Sequence, residues 1–136
     1  MYSHQTNLRI HFALTDKMGV VYYGNYAQFY EIGRTEAIRA IGFTYKDIEA
    51  MGIIMPVVEM QSHFLRPAKY DDLITIKTTV KEYPNTHQIK FETEIYNSAN
   101  KILNKGFTIL YFIDAITNKK AILPMQLQKK LLPFFG

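Results

Sequence analysis

Residues 14–42, LTDKMGVVYYGNYAQFYEIGRTEAIRAIG, decide the fold, because the hydrophobic period changes inside them. Asp16 stands before a short apolar run and a Gly24-Asn25 pair. From Asn25 onward Tyr26, Phe29, Tyr30, Gly33, Ala37, Ala40 and Ile41 recur at three- and four-residue steps, with Gln28, Glu31, Glu36 and Arg39 between them. That spacing predicts an amphipathic helix of about four or five turns. Asn25 is placed to cap it and Gly42 to stop it. Thr44 followed by Asp47 has the form of a capping box, so a second short helix is expected to run up to Gly52.

On either side of this stretch the period is that of strands. Upstream, Leu8, Ile10 and Phe12 alternate with Arg9, His11 and Ala13, which predicts a strand with one buried face ending at the turn-prone Thr15–Gly19. Downstream of Pro56, Val58, Met60, Ser62 and Phe64 share one face of a strand that stops at Pro67. Ile74, Ile76, Thr78 and Val80 form the next such set, then Ile89, Phe91, Thr93 and Ile95, with turns at Tyr83–Asn85 and Asn97–Lys101. Phe107–Ile113 is nearly all apolar, the pattern of a strand covered on both faces. A third helix is expected after Pro124, with Leu127, Leu131 and Leu132 on its inner side. Strand, long helix, short helix and four antiparallel strands make an α+β fold, packed most economically with the sheet wrapped around the long helix.

Composition narrows the class. A chain of 136 residues, 48% hydrophobic, has the size of one globular domain, and with no repeat or linker residues 1–136 are read as that domain. The formal charge is +4 with the basic residues scattered, a mild bias towards anionic partners and too little for a nucleic-acid footprint. The absence of cysteine removes disulfides, thiolate zinc sites and cysteine nucleophiles. MYSHQTNLRIHF has no basic region followed by an apolar block, and no apolar run approaches the ~18 residues of a membrane span, so a cytoplasmic location is expected.

The element order, TDKMGVVYYGNYAQFYEIGRTEAIRAIG and HFLRPAKYDDLITIKT together resemble the hotdog-fold acyl-CoA thioesterases of the 4-hydroxybenzoyl-CoA thioesterase family. The resemblance spans nearly the whole chain. It rests on an aspartate, then Gly-Val-Val-Tyr, then Asn-Tyr opening a helix that carries Tyr-Glu-x-x-Arg-Thr-Glu, with Arg66-Pro67-Ala68 and Asp71-Asp72 as a second landmark. The resemblance implies that Asp16 supplies the catalytic carboxylate. It also implies that the peptide N–H of Tyr23 polarises the thioester carbonyl, with Gly24 allowing close approach. The subfamily associated with the bacterial Tol-Pal system usually has His where this chain has Tyr23, so that subfamily's short-chain preference does not transfer. The resemblance further implies a homodimer, with carboxylate and donors coming from opposite subunits, and in some relatives a homotetramer.

Thioester hydrolysis needs a group that attacks or activates water and a site for the oxyanion. Asp16 can attack the carbonyl or take a proton from water. The helix mouth near Tyr23–Asn25 offers unpaired N–H groups and roughly half a positive charge. Tyr22 and Asn25 flank that mouth as substrate contacts, and Val58, Met60 and Ser62 are read as the pocket floor. Each assignment has a plainer alternative: Asp in Thr-Asp-x-x-Gly is most often a turn residue, and Tyr26, Phe29 and Tyr30 are read as core. Glu31 is the second choice for a carboxylate, while Arg34, Thr35 and Glu36 are read as tuning the helix or subunit contacts. Arg66, Lys69, Lys119 and Lys120 are possible contacts for coenzyme A phosphates, or simply solvated. His4, His11, His63 and His87 lack metal-ligand spacing, so neither a metal nor a cofactor apart from the substrate's own coenzyme A is expected. The substrate is then an acyl-CoA or acyl-carrier-protein thioester. A hotdog dehydratase, which usually needs a His beside the helix, a non-catalytic acyl-CoA binder and a single-stranded nucleic-acid binder rank below it.

Overall fold

The computed structural model describes residues 1–136. In chain order it contains β1 (Tyr2–Arg9), α1 (Tyr26–Ala40), α2 (Tyr45–Ala50), β2 (Ile53–Ile54), β3 (Val57–Phe64), β4 (Leu73–Val80), β5 (Gln88–Tyr96), β6 (Ile102–Tyr111), β7 (Ile113–Asp114) and α3 (Met125–Leu131). Five strands form one antiparallel sheet in the order β1-β4-β5-β6-β3, while β2 and β7 pair separately. Helix α1 lies on one face of the sheet, resting chiefly on β1 and β4 and less on β5. The inward face of β3, where Met60 and Phe64 are exposed, is the less covered part of the concave side, whereas Asn104, Thr108 and Leu110 of β6 are buried.

The long helix, the short helix and the antiparallel strands stand where the periodicity places them. Thr44 and Asp47 make the full capping box, the Asp47 N–H donating to Thr44 Oγ1 at 3.1 Å and the Thr44 N–H to Asp47 Oδ2 at 2.8 Å. Thr44→Ala is expected to cost about 1 kcal/mol in chemical denaturation, the usual worth of an N-cap. Gly42 and Gly52 end the two helices with φ of 104° and 87°, a conformation that leaves L side chains strained.

Four readings are corrected. The first strand runs from Tyr2 to Arg9, and Phe12, instead of sharing a buried face with Ile10, sits in a 3-10 turn with 70% of its surface exposed. The inward positions of β1 include His4 and Thr6, which hide the period. Asn25 stands at the N-cap position without capping; its side chain reaches Leu14 instead. The Phe107–Tyr111 part of β6 alternates, with Thr108 and Leu110 buried and Phe107, Ile109 and Tyr111 half-buried on the outer face. The Lys90 ammonium helps cover that face, its Nζ 4.4 Å from the Phe107 ring centre in a cation–π contact. Leu132 lies past the end of α3 and is exposed, unlike Leu127 and Leu131.

The core is divided. One apolar cluster holds Val21, Tyr26, Phe29, Tyr30 and Ala68 with Ile74, Ile76 and Ile95, around the N-terminal half of α1. The other holds Ala37, Ile38, Ile48, Ile53, Phe91 and Phe112 with the three leucines of the C-terminal segment, Leu123, Leu127 and Leu131. Between them runs a polar rung. His4 pairs with Thr78, Thr78 with Thr93, Thr93 with Gly106 and Gly106 with Ser62, one residue from each of the five strands. The buried His4 Nδ1, Thr78 Oγ1 and Thr93 Oγ1 have no hydrogen-bond partner, nor has Thr108 Oγ1 beside them on β6. Gly33 of α1 sits over this rung, and a Cβ there would come within 2.5 Å of Thr78 Oγ1.

Candidate active site

Asp16 begins a tight hairpin. Its N–H donates to Val20 O at 2.9 Å, the Gly19 N–H donates to Asp16 O at 3.1 Å, and Thr15 bridges to Val21. Gly19, with φ 77°, supplies the left-handed residue that a type I turn with a bulge requires, and Asp is a favoured first residue of such a turn. Asp16 Oδ1 accepts the Met18 N–H at 2.8 Å. The side chain thus has a complete structural role through one oxygen. The exposed Asp16 Oδ2 makes no hydrogen bond within the chain.

The hairpin is tied to the helix mouth through one carbonyl. Leu14 O accepts both the Tyr22 N–H at 3.0 Å and Asn25 Nδ2 at 2.8 Å. Asn25 therefore holds the mouth in place. The second landmark is joined to the same unit: Val21 N–H donates to Ala68 O at 2.8 Å and Val20 bridges to Lys69. Asp72 Oδ2 accepts the Lys69 N–H at 2.8 Å, and Asp71 takes the left-handed conformation with φ 69°. The two separated motifs thus form one structural element.

A 3-10 turn over Tyr23–Asn25 leads into α1. The Tyr22 and Asn25 N–H groups are both used, on Leu14 O and Tyr22 O, whereas those of Tyr23 and Gly24 donate to nothing in the chain. Two free donors at the positive end of a 15-residue helix form a receptor for negative charge. Gly24 is exposed, and a Cβ there would lie 2.6 Å from the Tyr22 ring, so the glycine makes room for that ring beside the donors. Tyr22 and Tyr23 are themselves exposed, their ring centres 4.7 Å apart.

Along the floor, Met60, Ser62 and Phe64 oppose Thr108, Gly106 and Asn104 and so face inward. Val58 does not join them: the register shifts between Val57 and Glu59, which makes Val58 the extra residue of a bulge. Ser62 closes a three-membered network with Tyr30 and Asn104. Asn104 Nδ2 donates to Ser62 Oγ at 2.9 Å, Tyr30 OH donates to Asn104 Oδ1, and Tyr30 OH and Ser62 Oγ lie 3.1 Å apart. Burial raises the Tyr26 and Tyr30 hydroxyls above the usual tyrosine range, so both stay neutral.

Phe64 stands beside the mouth, although only its phase on the strand marked it. Its ring lies 5.0 Å from that of Tyr26 and 6.5 Å from that of Tyr23, both edge-on, at the inner side of the mouth. Glu31 is exposed on α1, near the Arg34–Tyr45 pair, where Arg34 Nε donates to Tyr45 OH at 3.1 Å. Burial pushes the Tyr45 hydroxyl up against the opposing pull of Arg34. Arg66 Nη1 is engaged with Ile102 O at 3.1 Å. Lys119 and Lys120 lie in a hairpin whose Ala115 N–H reaches Gly52 O, at the end of α2, so within one chain they stand away from the mouth.

Comparison with known proteins identifies the family and the fold. The acyl-CoA thioester hydrolase YbgC of Escherichia coli O6:H1 is 31% identical over 117 residues, covering 86% of this chain and 87% of that protein. A DHNA-CoA thioesterase structure from Staphylococcus aureus superposes with a TM-score of 0.84 at 31% identity, over 99% of this chain and 87% of the other. The fold is also that of the 1,4-dihydroxy-2-naphthoyl-CoA thioesterase Slr0204 of Synechocystis, with a TM-score of 0.89 at 21% identity over 98% of each chain. The family match begins at Met18, just past Asp16, and ends within β6 at Leu103. With residues 18–103 matched, the chain belongs to the Thioesterase superfamily and has the hotdog architecture of its structural neighbours.

Proposed function

We propose that this protein hydrolyses acyl-CoA thioesters, with the Asp16 carboxylate and the free N–H groups of Tyr23 and Gly24 as its reactive parts. The observation that carries the reading is the pair of unused donors at the α1 mouth, joined through Leu14 to the hairpin that bears Asp16. In the general-base route Asp16 takes a proton from water as the water oxygen bonds to the carbonyl carbon. The carbonyl oxygen, now negative, is received by the two N–H groups. Collapse of this intermediate breaks the C–S bond, and the departing thiolate takes up a proton. In the nucleophilic route Asp16 itself bonds to the carbonyl carbon, and the C–S bond breaks to release the thiolate, which takes up a proton. Water then hydrolyses the resulting mixed anhydride to the free acid and the Asp16 carboxylate.

The working unit in this reading is a homodimer. In it, as the resemblance implies, the carboxylate and the donors of one site come from opposite subunits, the Leu14 link holding each chain's hairpin and mouth in fixed relation. Strand β3 is an unpaired edge with Val57, Met60 and Phe64 exposed, an open template for a second copy. Pairing of β3 with its symmetry mate would also wall the acyl groove that α1 leaves uncovered. Higher assembly to a tetramer is compatible with the half-buried Phe107, Ile109 and Tyr111 on the outer face. A cytoplasmic location goes with this substrate class; no helix is long and apolar enough to cross a membrane.

The test is free-thiol release from short aliphatic, long aliphatic and aromatic acyl-CoAs, on protein whose mass in solution is measured beside it. At least one class is expected to be turned over by an assembly of two or four chains. A folded dimer inert towards every member would shift the reading to a carrier-protein thioester, which presents the same pantetheine arm, or to a non-catalytic acyl-CoA binder.

A further inference from the structure

The large apolar side chains left in solvent at the mouth and along β3 have an account above; those of the C-terminal segment have none. Ile116 is 92% exposed, Met125 66%, Ile122 61% and Leu132 54%, all in the C-terminal segment. The same segment is electrically one-sided. From Ala115 to Gly136 there are four lysines, Lys119, Lys120, Lys129 and Lys130, and no aspartate or glutamate. Residues 1–114 therefore hold 12 basic and 12 acidic side chains, so the formal charge of +4 belongs to this segment alone. Basic residues are indeed scattered along the chain; the missing acids create the imbalance.

The structure fixes how these groups are displayed. Ile116 stands in a turn braced by Asp114, whose Oδ1 accepts the N–H groups of Ile116 and Thr117 at 2.9 Å each. A β-branched apolar residue there runs against ordinary turn chemistry. The Ala115 N–H donates to Gly52 O at 2.9 Å, and Ile122 and Met125 line a shallow groove with Ala50 and Met51, so hairpin and α3 meet beside the end of α2. Met125 and Lys129 on α3, with Leu132 in the 3-10 turn that follows it, keep a four- and three-residue spacing that gives one stripe, opposite the buried Leu127 and Leu131. Acids that adjoin the segment include Asp114, whose Oδ1 is occupied in the turn, and Glu82, next to the Tyr83 whose ring lies 5.7 Å from that of Phe135.

We propose that this surface rests on an anionic lipid bilayer, the lysines among the phosphate headgroups and Ile116, Met125 and Leu132 entering the interface. Protruding apolar side chains set among lysines suit a headgroup layer, which attracts cations and takes up single apolar groups without a shaped pocket. A second copy is a poor occupant, because a two-fold contact would set lysine against lysine. The segment that carries the patch packs through Leu123, Leu127 and Leu131 against the Ala37 and Ile38 end of α1, about 20 Å along the helix from the mouth, so docking leaves the substrate entrance free.

Flotation with phosphatidylcholine vesicles, with and without phosphatidylglycerol, tests this in low and high salt. The protein is expected to float only with the anionic vesicles and to be released by salt. Lys129→Glu with Lys130→Glu should weaken partitioning by about 25-fold or more, taking roughly fivefold for each lysine lost from the surface. Ile116→Ser should weaken it as well, both variants keeping the parent's melting temperature. Absence of flotation, equal flotation with uncharged vesicles, or undiminished flotation of the lysine variant would overturn the proposal. Loss of oligomer mass in the lysine variant would also overturn it and give the patch to a second copy.

Discussion

Asp16→Asn is expected to abolish nearly all thioester hydrolysis, by about 10³- to 10⁴-fold, with melting temperature and oligomer mass unchanged. The magnitude is the upper part of what a positioned general base contributes. Asparagine is the informative substitution because of the turn. Its side-chain oxygen can still accept the Met18 N–H that Asp16 Oδ1 accepts at 2.8 Å, so the hairpin keeps its brace while the negative charge is removed. Asp16→Ala removes brace and charge together and should cost about 1 kcal/mol of stability besides the activity. Steady-state thiol release on the asparagine variant, beside a thermal melt, separates the two roles. Unchanged turnover would reduce Asp16 to its turn role and bring forward Glu31, exposed on α1.

Gly106→Ala is expected to be the most damaging single methyl group in the chain. A Cβ at this position would stand 1.9 Å from Gln61 O and 2.6 Å from Tyr30 OH. The first is a backbone atom of the neighbouring strand, so relief requires β3 to move away from β6. The second belongs to the network that ties β3 to α1. A cost of about 3 kcal/mol, the upper part of the overpacking range, corresponds to a urea midpoint lowered by roughly 1.5 M. Since β3 is also the proposed dimer edge and acyl floor, mass and turnover should fall with stability. Gly33→Ala is the comparison: its new Cβ would meet side-chain atoms of Thr78 and Ile76 at 2.5 and 2.7 Å, which can shift further than a strand backbone can. A Gly106→Ala variant as stable as the parent would show that the β3–β6 contact is looser than this geometry.

What was legible in the sequence follows from what is local. The period of Tyr26–Ile41, the Thr44–Asp47 box and the alternation of Ile89–Ile95 are set by neighbours within one element, and they stand as read. The polar rung could not be seen. Thr78 and Thr93 were each in phase with a buried face, but their alignment with His4, Gly106 and Ser62 depends on register between strands, which no single strand encodes. Val58 failed for the same reason, since a bulge shows only against its partner strand. The mouth is readable as a Gly-Asn pair before a helix, yet Asn25 does not cap it, because the side chain has a more distant partner in Leu14 O. Phe64 carried only its strand phase; its contacts with Tyr23 and Tyr26 arise where two elements meet.

The division of the core bears on how this chain opens. Cooperative units within a domain follow contiguous apolar packing, and here two such bodies share α1 and meet across hydroxyls that bond to nothing. Amide exchange is then expected to resolve two steps. The end built from α2, α3 and β7 can exchange by a lesser opening, while amides around Tyr26, Phe29 and Ile74 wait for global unfolding. Sequence drift in the C-terminal end would tax the reactive end little, so a lineage could remodel its outward face and keep the chemistry at Tyr23 intact.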